Sequence, residues 1–229
     1  ILLLDVTPLS LGIETVGGLM DSIITRNAKV PHRAARQYTT SIDGQKNLRI
    51  SVFQGERDLV VHNRKLGEFT LRNIPPMPAG IPKIEVQFLL DADGILTVKA
   101  KELRSGTETS VEIKSAYSIS EEEMAKMLLD SIRNAASDVN QRALLEAINE
   151  ANNLVLSADK FVVQNASILS KEEVESIVSL NSTLKDAIKN QNKNDIESAM
   201  HALNVYTTPL AHKALDQNIQ HALKSTTIS

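Results

Sequence analysis

Apolar and polar positions alternate along the first half of the chain and recur at helical spacing along the second. Leu9, Leu11 and Ile13 take every other position of the run Leu9 to Thr15, which places three aliphatics on one strand face. Leu19 to Thr25 reads as a second strand, and Gly17-Gly18 between the two permits positive φ. Gln37 to Ser41 is a short third run rich in β-formers, followed by the turn signal Asp43-Gly44. Asn47 to Phe53 alternates through Leu48, Ile50 and Val52 and ends at Gln54-Gly55-Glu56-Arg57. Gly67 to Ile74 gives a fifth strand, and the proline-rich segment 75–80 predicts a loop. Ile84 to Leu90, Ile95 to Lys101 and Glu108 to Ile113 follow, separated by Asp91-Ala92-Asp93-Gly94 and Arg104-Ser105-Gly106. Eight short strands joined by turns predict an antiparallel β-sandwich.

From Ser120 the period changes. Ser120-Glu121-Glu122-Glu123 has the capping-box pattern, and Met124, Met127, Leu128 and Ile132 begin an apolar face at helical spacing. That face runs through Val139, Leu145, Ile148 and Val155 towards Phe161, with no Gly or Pro between residues 107 and 208, so one long helix or two continuous ones are expected. Ser170-Lys171-Glu172-Glu173 repeats the capping box. Asn194 is the expected cap of a last helix that reaches about Leu223, with Pro209 as a possible kink and Lys224 to Ser229 as a frayed tail.

Composition supports this division. All nine glycines lie at or before Gly106, and six of the seven prolines at or before Pro82. The chain is net +2 up to Ala116 and net −5 beyond it, giving −3 over 229 residues. The fold class is therefore a β-sandwich subdomain followed by an α-helical one, with residues 6–116 and 117–229 as the two parts. Aromatic residues are only 3%, so both cores must be aliphatic. Without cysteine there are no disulfides, thiolate metal sites or thiol nucleophiles, which fits a reducing compartment. The charge does not favour nucleic acid, and no apolar run approaches the roughly 20 residues that cross a bilayer. Ile1 to Leu4 lack the basic leader and cleavage site of a signal peptide. They read instead as an apolar tether running into Asp5, whose natural neighbour has been cut away.

Candidate chemistry is sparse. Asp91-Ala92-Asp93-Gly94 opens like a calcium loop, but the glycine comes two positions early and no ligand series follows, so it reads as a turn. Gln54-Gly55-Glu56-Arg57 reads as a strand-end turn with a surface ion pair. The histidines at 32, 62, 201, 212 and 221 sit singly, and no metal site is expected. There is no Gly-rich phosphate loop and no Gly-x-Ser-x-Gly, so no catalytic residue is assigned and the chain reads as not an enzyme. The sequons at Asn165 and Asn181 carry no weight without a secretion signal.

The run Leu2-Leu3-Leu4-Asp5-Val6-Thr7-Pro8-Leu9-Ser10-Leu11-Gly12-Ile13-Glu14-Thr15, then Gly17-Gly18, Gln54-Gly55-Glu56-Arg57 and Asp91-Ala92-Asp93-Gly94-Ile95-Leu96, resemble the DnaK-type heat-shock chaperones. The resemblance covers the whole chain, and it is to the family's C-terminal half. It implies a sandwich that holds an extended peptide beneath a helical lid. Leu2, Leu3, Leu4 and Asp5 match the interdomain linker. ATP and magnesium would belong to an ATPase domain outside this chain, which itself would carry no cofactor. ATP there would draw in the tether and loosen the peptide site; without that domain the chain is expected to stay in its tight-binding state. Asp43-Gly44-Gln45, Pro78-Ala79-Gly80, Asp130-Ser131 and Asp138-Val139 are similar to the branch devoted to iron–sulfur cluster assembly. Ala79, Asn152 and Leu156 stand where the general family pattern has a lid latch of Arg, Asp and His. The two arch positions over the peptide correspond to Val16 and Ser41.

By this resemblance the peptide-binding residues are Ile13, Glu14, Thr15, Val16, Leu19, Tyr38, Thr39, Ser41, Leu48, Ile50, Ile84 and Val86. Loop backbone at 14–16 and 38–41 would pair with the peptide, and Ile13, Tyr38, Leu48, Ile50, Ile84 and Val86 would form or border a slot for one aliphatic side chain. Spacing alone reads those six as core. The implied partners are a client peptide or iron–sulfur scaffold protein, a J-domain co-chaperone and the ATPase domain, in a bacterial cytoplasm or equivalent reducing compartment. Three readings follow: a binder of a Leu-Pro-Pro-Val-Lys motif, a general binder of unfolded chains, and a self-associating structural module.

Overall fold

The computed structural model describes residues 6–226. The linker residues Leu2, Leu3, Leu4 and Asp5 lie outside them. The chain forms two compact units, Ile1–Val139 and Asn140–Ser229.

The first unit contains eight strands: β1 Leu11–Thr15, β2 Leu19–Ile24, β3 His32–Tyr38, β4 Leu48–Gln54, β5 Arg64–Leu71, β6 Ile84–Leu90, β7 Leu96–Glu102 and β8 Glu108–Ile113. They make two four-stranded antiparallel sheets, ordered β2-β1-β4-β5 and β3-β6-β7-β8. Edge strand β2 lies beside β3, and β5 beside β8. The alternation in β6 and β7 turns Ile84, Val86, Phe88, Leu90, Leu96, Val98 and Ala100 inward, all at 0% exposure. They meet Leu11, Ile13, Ile50, Val52 and Leu71 from the other sheet in one aliphatic core. Sheet one also covers its outer face. Met20 and Phe53 pack with Val60 of the 3-10 turn Val60–His62.

The expected third strand is displaced. β3 runs His32–Tyr38, and residues 39 and 40 belong to the following connection. β3 is an edge strand bonded only to β6, with Ala34 as its small inward residue, so its apolar alternation is faint. The strand expected from Gly67 likewise begins earlier, at Arg64. The acidic turn is a turn: one Asp91 carboxylate oxygen accepts from the Asp93 and Ile95 amides, each at 2.9 Å. Gly94 has φ 81°, and a Cβ there would strike the Tyr117 ring.

Helix α1, Glu121–Arg133, starts in the predicted capping box at Ser120 and buries none of its residues. Helix α2, Ala135–Gln164, begins in this unit and continues into the next. Two helices therefore occupy the uninterrupted stretch. Asn134 separates them, its amide bonded back to the Asp130 carbonyl.

In the second unit α2 packs with α3, Lys171–Asn190, and α4, Lys193–Thr226. Ala151, Val155, Leu169, Ile177, Leu184, Ile196 and Leu203 form its core. Ser170 caps α3 as predicted. The cap of α4 is Asn192 and not Asn194: its side-chain oxygen accepts from the Asp195 amide at 3.1 Å. α4 continues through Pro209 as helix and extends beyond Leu223. Both sequon asparagines are structural. Asn165 is buried and donates to the Phe161 carbonyl, and buried Asn181 donates to Asp159 and to the Val155 carbonyl.

Candidate functional site

Sheet one opens at one end. The β1–β2 ladder continues to Thr15, whereas the β1–β4 ladder stops at the Ile13–Val52 pair. Leu48 to Ser51 of β4 therefore pair only with β5, and Glu14 and Thr15 of β1 pair only with β2. The aliphatics nearest that opening are Ile13, Leu48 and Ile50.

The predicted slot residues do assemble. Ile13, Ile50, Ile84 and Val86 are buried in one cluster, with half-buried Tyr38 and Leu48 packed against it. They are core residues continuous with the sandwich interior, as spacing alone indicates. Leu19 is buried but bridges to Leu59, away from that cluster. At the rim, Gly18 donates to the Thr15 carbonyl at 3.1 Å and the Thr15 hydroxyl donates to the Leu19 carbonyl, closing the turn that carries Val16. Val16 is 62% exposed, and Ile42, beside the Asp43-Gly44 turn, is 65% exposed. Thr39 and Ser41 are exposed; the Ser41 amide donates to the Gln45 side chain at 3.2 Å. This second rim loop is fastened to the proline-rich loop, with Gly44 donating to Met77, Gly80 to Thr40 and Ala79 to the Asp43 carboxylate. A separate depression on this unit is lined by Met77, Ile81, Lys83, Glu102, Leu103 and Arg104, and contains none of the predicted site residues.

The segment Gln54 to Arg57 is not the surface turn that was expected. Gln54 is buried, donates to the Ala116 carbonyl at 2.7 Å and accepts from Arg64. Glu56 accepts from both the amide and the hydroxyl of Ser10, pinning the start of β1. Arg57 holds Asp138 through two bonds, Nε–Oδ2 at 2.6 Å and Nη2–Oδ1 at 3.0 Å, with only 14% and 6% of the two side chains exposed. The fork geometry matches a carboxylate. The guanidinium beside Asp138 holds its carboxyl below the ordinary value against the opposing effect of burial, and Asp138 in turn raises Arg57. Within the first unit this pair ties the first turn of α2 to the loop after β4. Arg57 was expected in a surface ion pair and Asp138 was quoted only as part of a family motif, so their buried pairing was not predicted; two residues 81 positions apart carry no local signal of contact.

Two four-stranded antiparallel sheets followed by four helices define a β-sandwich-plus-helix architecture, with sheet one open at one end. Residues 1–216 match the family model described as Hsp70 protein. The chain is 42% identical over 228 residues to a chaperone protein HscA homolog of Laribacter hongkongensis, covering all of this chain and 37% of that protein. It is 43% identical to the HscA homolog of Herminiimonas arsenicoxydans and 41% identical to chaperone protein HscA of Yersinia enterocolitica, in each case over 97% of this chain and 36% of the relative. The chain belongs to the Hsp70 family. It spans a little over a third of the length of these curated relatives.

The family match corrects one expectation. The expectation that this chain is not an enzyme is overturned, because the match to the Hsp70 family and to relatives named HscA runs along the chain. Among the described residues no group of three or more His, Asp or Glu side chains could hold a metal ion. No helix among them is long and apolar enough to cross a membrane.

Proposed function

We propose that this chain is the substrate-binding part of an Hsp70-type chaperone and that it holds an extended client segment at the open end of sheet one. Residues 1–5 serve as linker, 6–116 as the peptide-binding part and 117–229 as the helical cover. The observation that carries this reading is the divergence of β1 from β4 beyond Ile13 and Val52, with exposed Val16 and Ile42 on the adjoining loops. One-sided strand backbone at Glu14 and Thr15 suits pairing with a peptide main chain, which tolerates many sequences. Selectivity then rests on one aliphatic side chain entering among Ile13, Tyr38, Leu48 and Ile50, with Ile84 and Val86 as the floor. Burying one leucine contributes roughly 1.5–3 kcal/mol, and each backbone bond about 1 kcal/mol. After the cost of ordering the peptide, micromolar affinity results, about −8 kcal/mol.

The relatives named HscA favour the iron–sulfur branch, and with it a client motif of the Leu-Pro-Pro-Val-Lys type, a J-domain co-chaperone, control by the family's ATPase domain, and a bacterial cytoplasm or equivalent compartment. Fluorescence anisotropy with two labelled peptides tests this, one carrying Leu-Pro-Pro-Val-Lys and one a leucine-rich segment. Preference for the first is expected. Equal affinity would leave a general binder of unfolded chains. Absence of saturable binding to either would overturn the peptide site and leave self-association as the reading.

A further inference from the structure

The two loops that carry Val16 and Ser41 spring from different sheets. Val16 sits in the β1–β2 turn of sheet one, and Ser41 follows β3 of sheet two. No ladder joins those sheets, so something else must set the separation of the loops.

Asp21 supplies that link. It lies two residues into β2, directly after the Val16 turn, and Tyr38 is the last residue of β3, directly before the Ser41 loop. The Tyr38 hydroxyl donates to Asp21 Oδ2 at 2.5 Å, and Arg36 Nη1 donates to Asp21 Oδ1 at 2.9 Å. Each carboxylate oxygen thus takes one donor from the opposite sheet edge. The Tyr38 ring also packs against the core beside the predicted slot, so the same side chain is both slot wall and clamp. The Asp21 side chain is 26% exposed, whereas its Arg36 partner is 51% exposed, so the hydroxyl bond is the better shielded half. Burial and the bond to Asp21 raise the Tyr38 phenol above its ordinary value, so it remains a donor throughout the working pH range. The backbone under Asp21 is also constrained. At Gly12, where β1 is bulged, a Cβ would collide with the Asp21 carbonyl.

We propose that Asp21 is a positioning residue for the peptide site, clamping the edges of the two sheets through Tyr38 and Arg36 and so governing how fast a bound segment leaves. This rests on the peptide-binding reading. A clamp at the bases of both rim loops affects escape of the peptide more than the stability of the fold, which is carried by the core.

The test is stopped-flow dissociation of a labelled leucine-containing peptide from the full chain and from Asp21→Asn, Tyr38→Phe and the double variant, with thermal unfolding in parallel. Loss of a bond to a charged group predicts dissociation about tenfold faster in each single variant. The double variant should be no faster than Asp21→Asn alone, because the bond lost in Tyr38→Phe is one that the Asp21 substitution already disrupts. Tm should stay within a few degrees of the parent. Arg36→Ala should have the smaller effect, since Tyr38 keeps its bond. Unchanged off-rates in variants that still bind would overturn the clamp and leave the peptide site standing. So would additive acceleration that follows the loss of Tm. A parent chain that binds no peptide would instead overturn the functional reading beneath it.

Discussion

At the residue scale, the side chains of greatest structural consequence are polar ones whose partners lie far along the chain. Arg57 and Asp138 are 81 positions apart and form the most enclosed ion pair among the described residues for which both exposures are known. Removing one partner strands a buried charge, so Asp138→Asn is expected to destabilise the first unit by about 3 kcal/mol, read as a lower denaturation midpoint at unchanged m-value. The pH dependence has a definite sign. The folded-state carboxyl of Asp138 lies below its unfolded value of about 3.9, so the stabilisation is complete above that value and is lost as pH falls through the lower folded one. The gap between parent and variant should be constant from pH 7 to 5 and narrow only in strong acid. A gap already closing near pH 6 would show that another group controls it. Ser10, Glu56 and Gln54 belong to the same class of long-range polar contact. All of these were invisible as partners in the sequence, because a hydrogen bond between distant residues leaves no periodic trace.

Elements, by contrast, were largely legible. Strands β6 and β8 match their predicted bounds because alternation and flanking turns agree there. Both capping boxes form as read, with Ser120 and Ser170 accepting from the third helical amide and Glu123 and Glu173 reaching back. In α3 the acid is also fastened by Lys213 at 3.3 Å, and the Ser170 amide bond leads the effects that lower the Glu173 carboxyl. Ser170→Ala should therefore cost the helical unit about 1 kcal/mol, visible as a lower melting temperature, while Ser170→Asp should be nearly silent. β3 was misread for a physical reason. An edge strand whose inward apolar residues are only Ala34 and Tyr38 gains its place from pairing with β6, not from a local pattern. Asn192 rather than Asn194 caps α4 because Gln191 adopts left-handed geometry, φ 52°, and ends α3 directly before it.

For the whole molecule, each unit has its own largely aliphatic core, with Phe88 among the fully buried residues of one and Leu184 among those of the other. Residues 1–139 are therefore expected to fold without the rest and to retain a saturable peptide site, with faster dissociation once the proposed cover is gone. Circular dichroism and peptide anisotropy on that fragment would check both. A fragment that fails to fold would show that the units depend on each other. The Hsp70 membership of the chain is consistent with this layout, since sandwich and helices follow one another in the order the motifs implied.

Sequence alone determined the class of architecture, the sandwich-to-helix order and the capping boxes of α1 and α3, because periodicity and turn chemistry are local in the chain. The six candidate slot residues came from the family motifs, and spacing by itself marked them only as core, which is where they lie or against which they pack. Only the tertiary structure decided where sheet one opens, that Arg57 reaches Asp138, and that Asp21 bridges to Tyr38 and Arg36. Those features depend on which strands stop pairing and which edges come to lie side by side. That outcome follows from packing two sheets around a shared core, and no single segment encodes it.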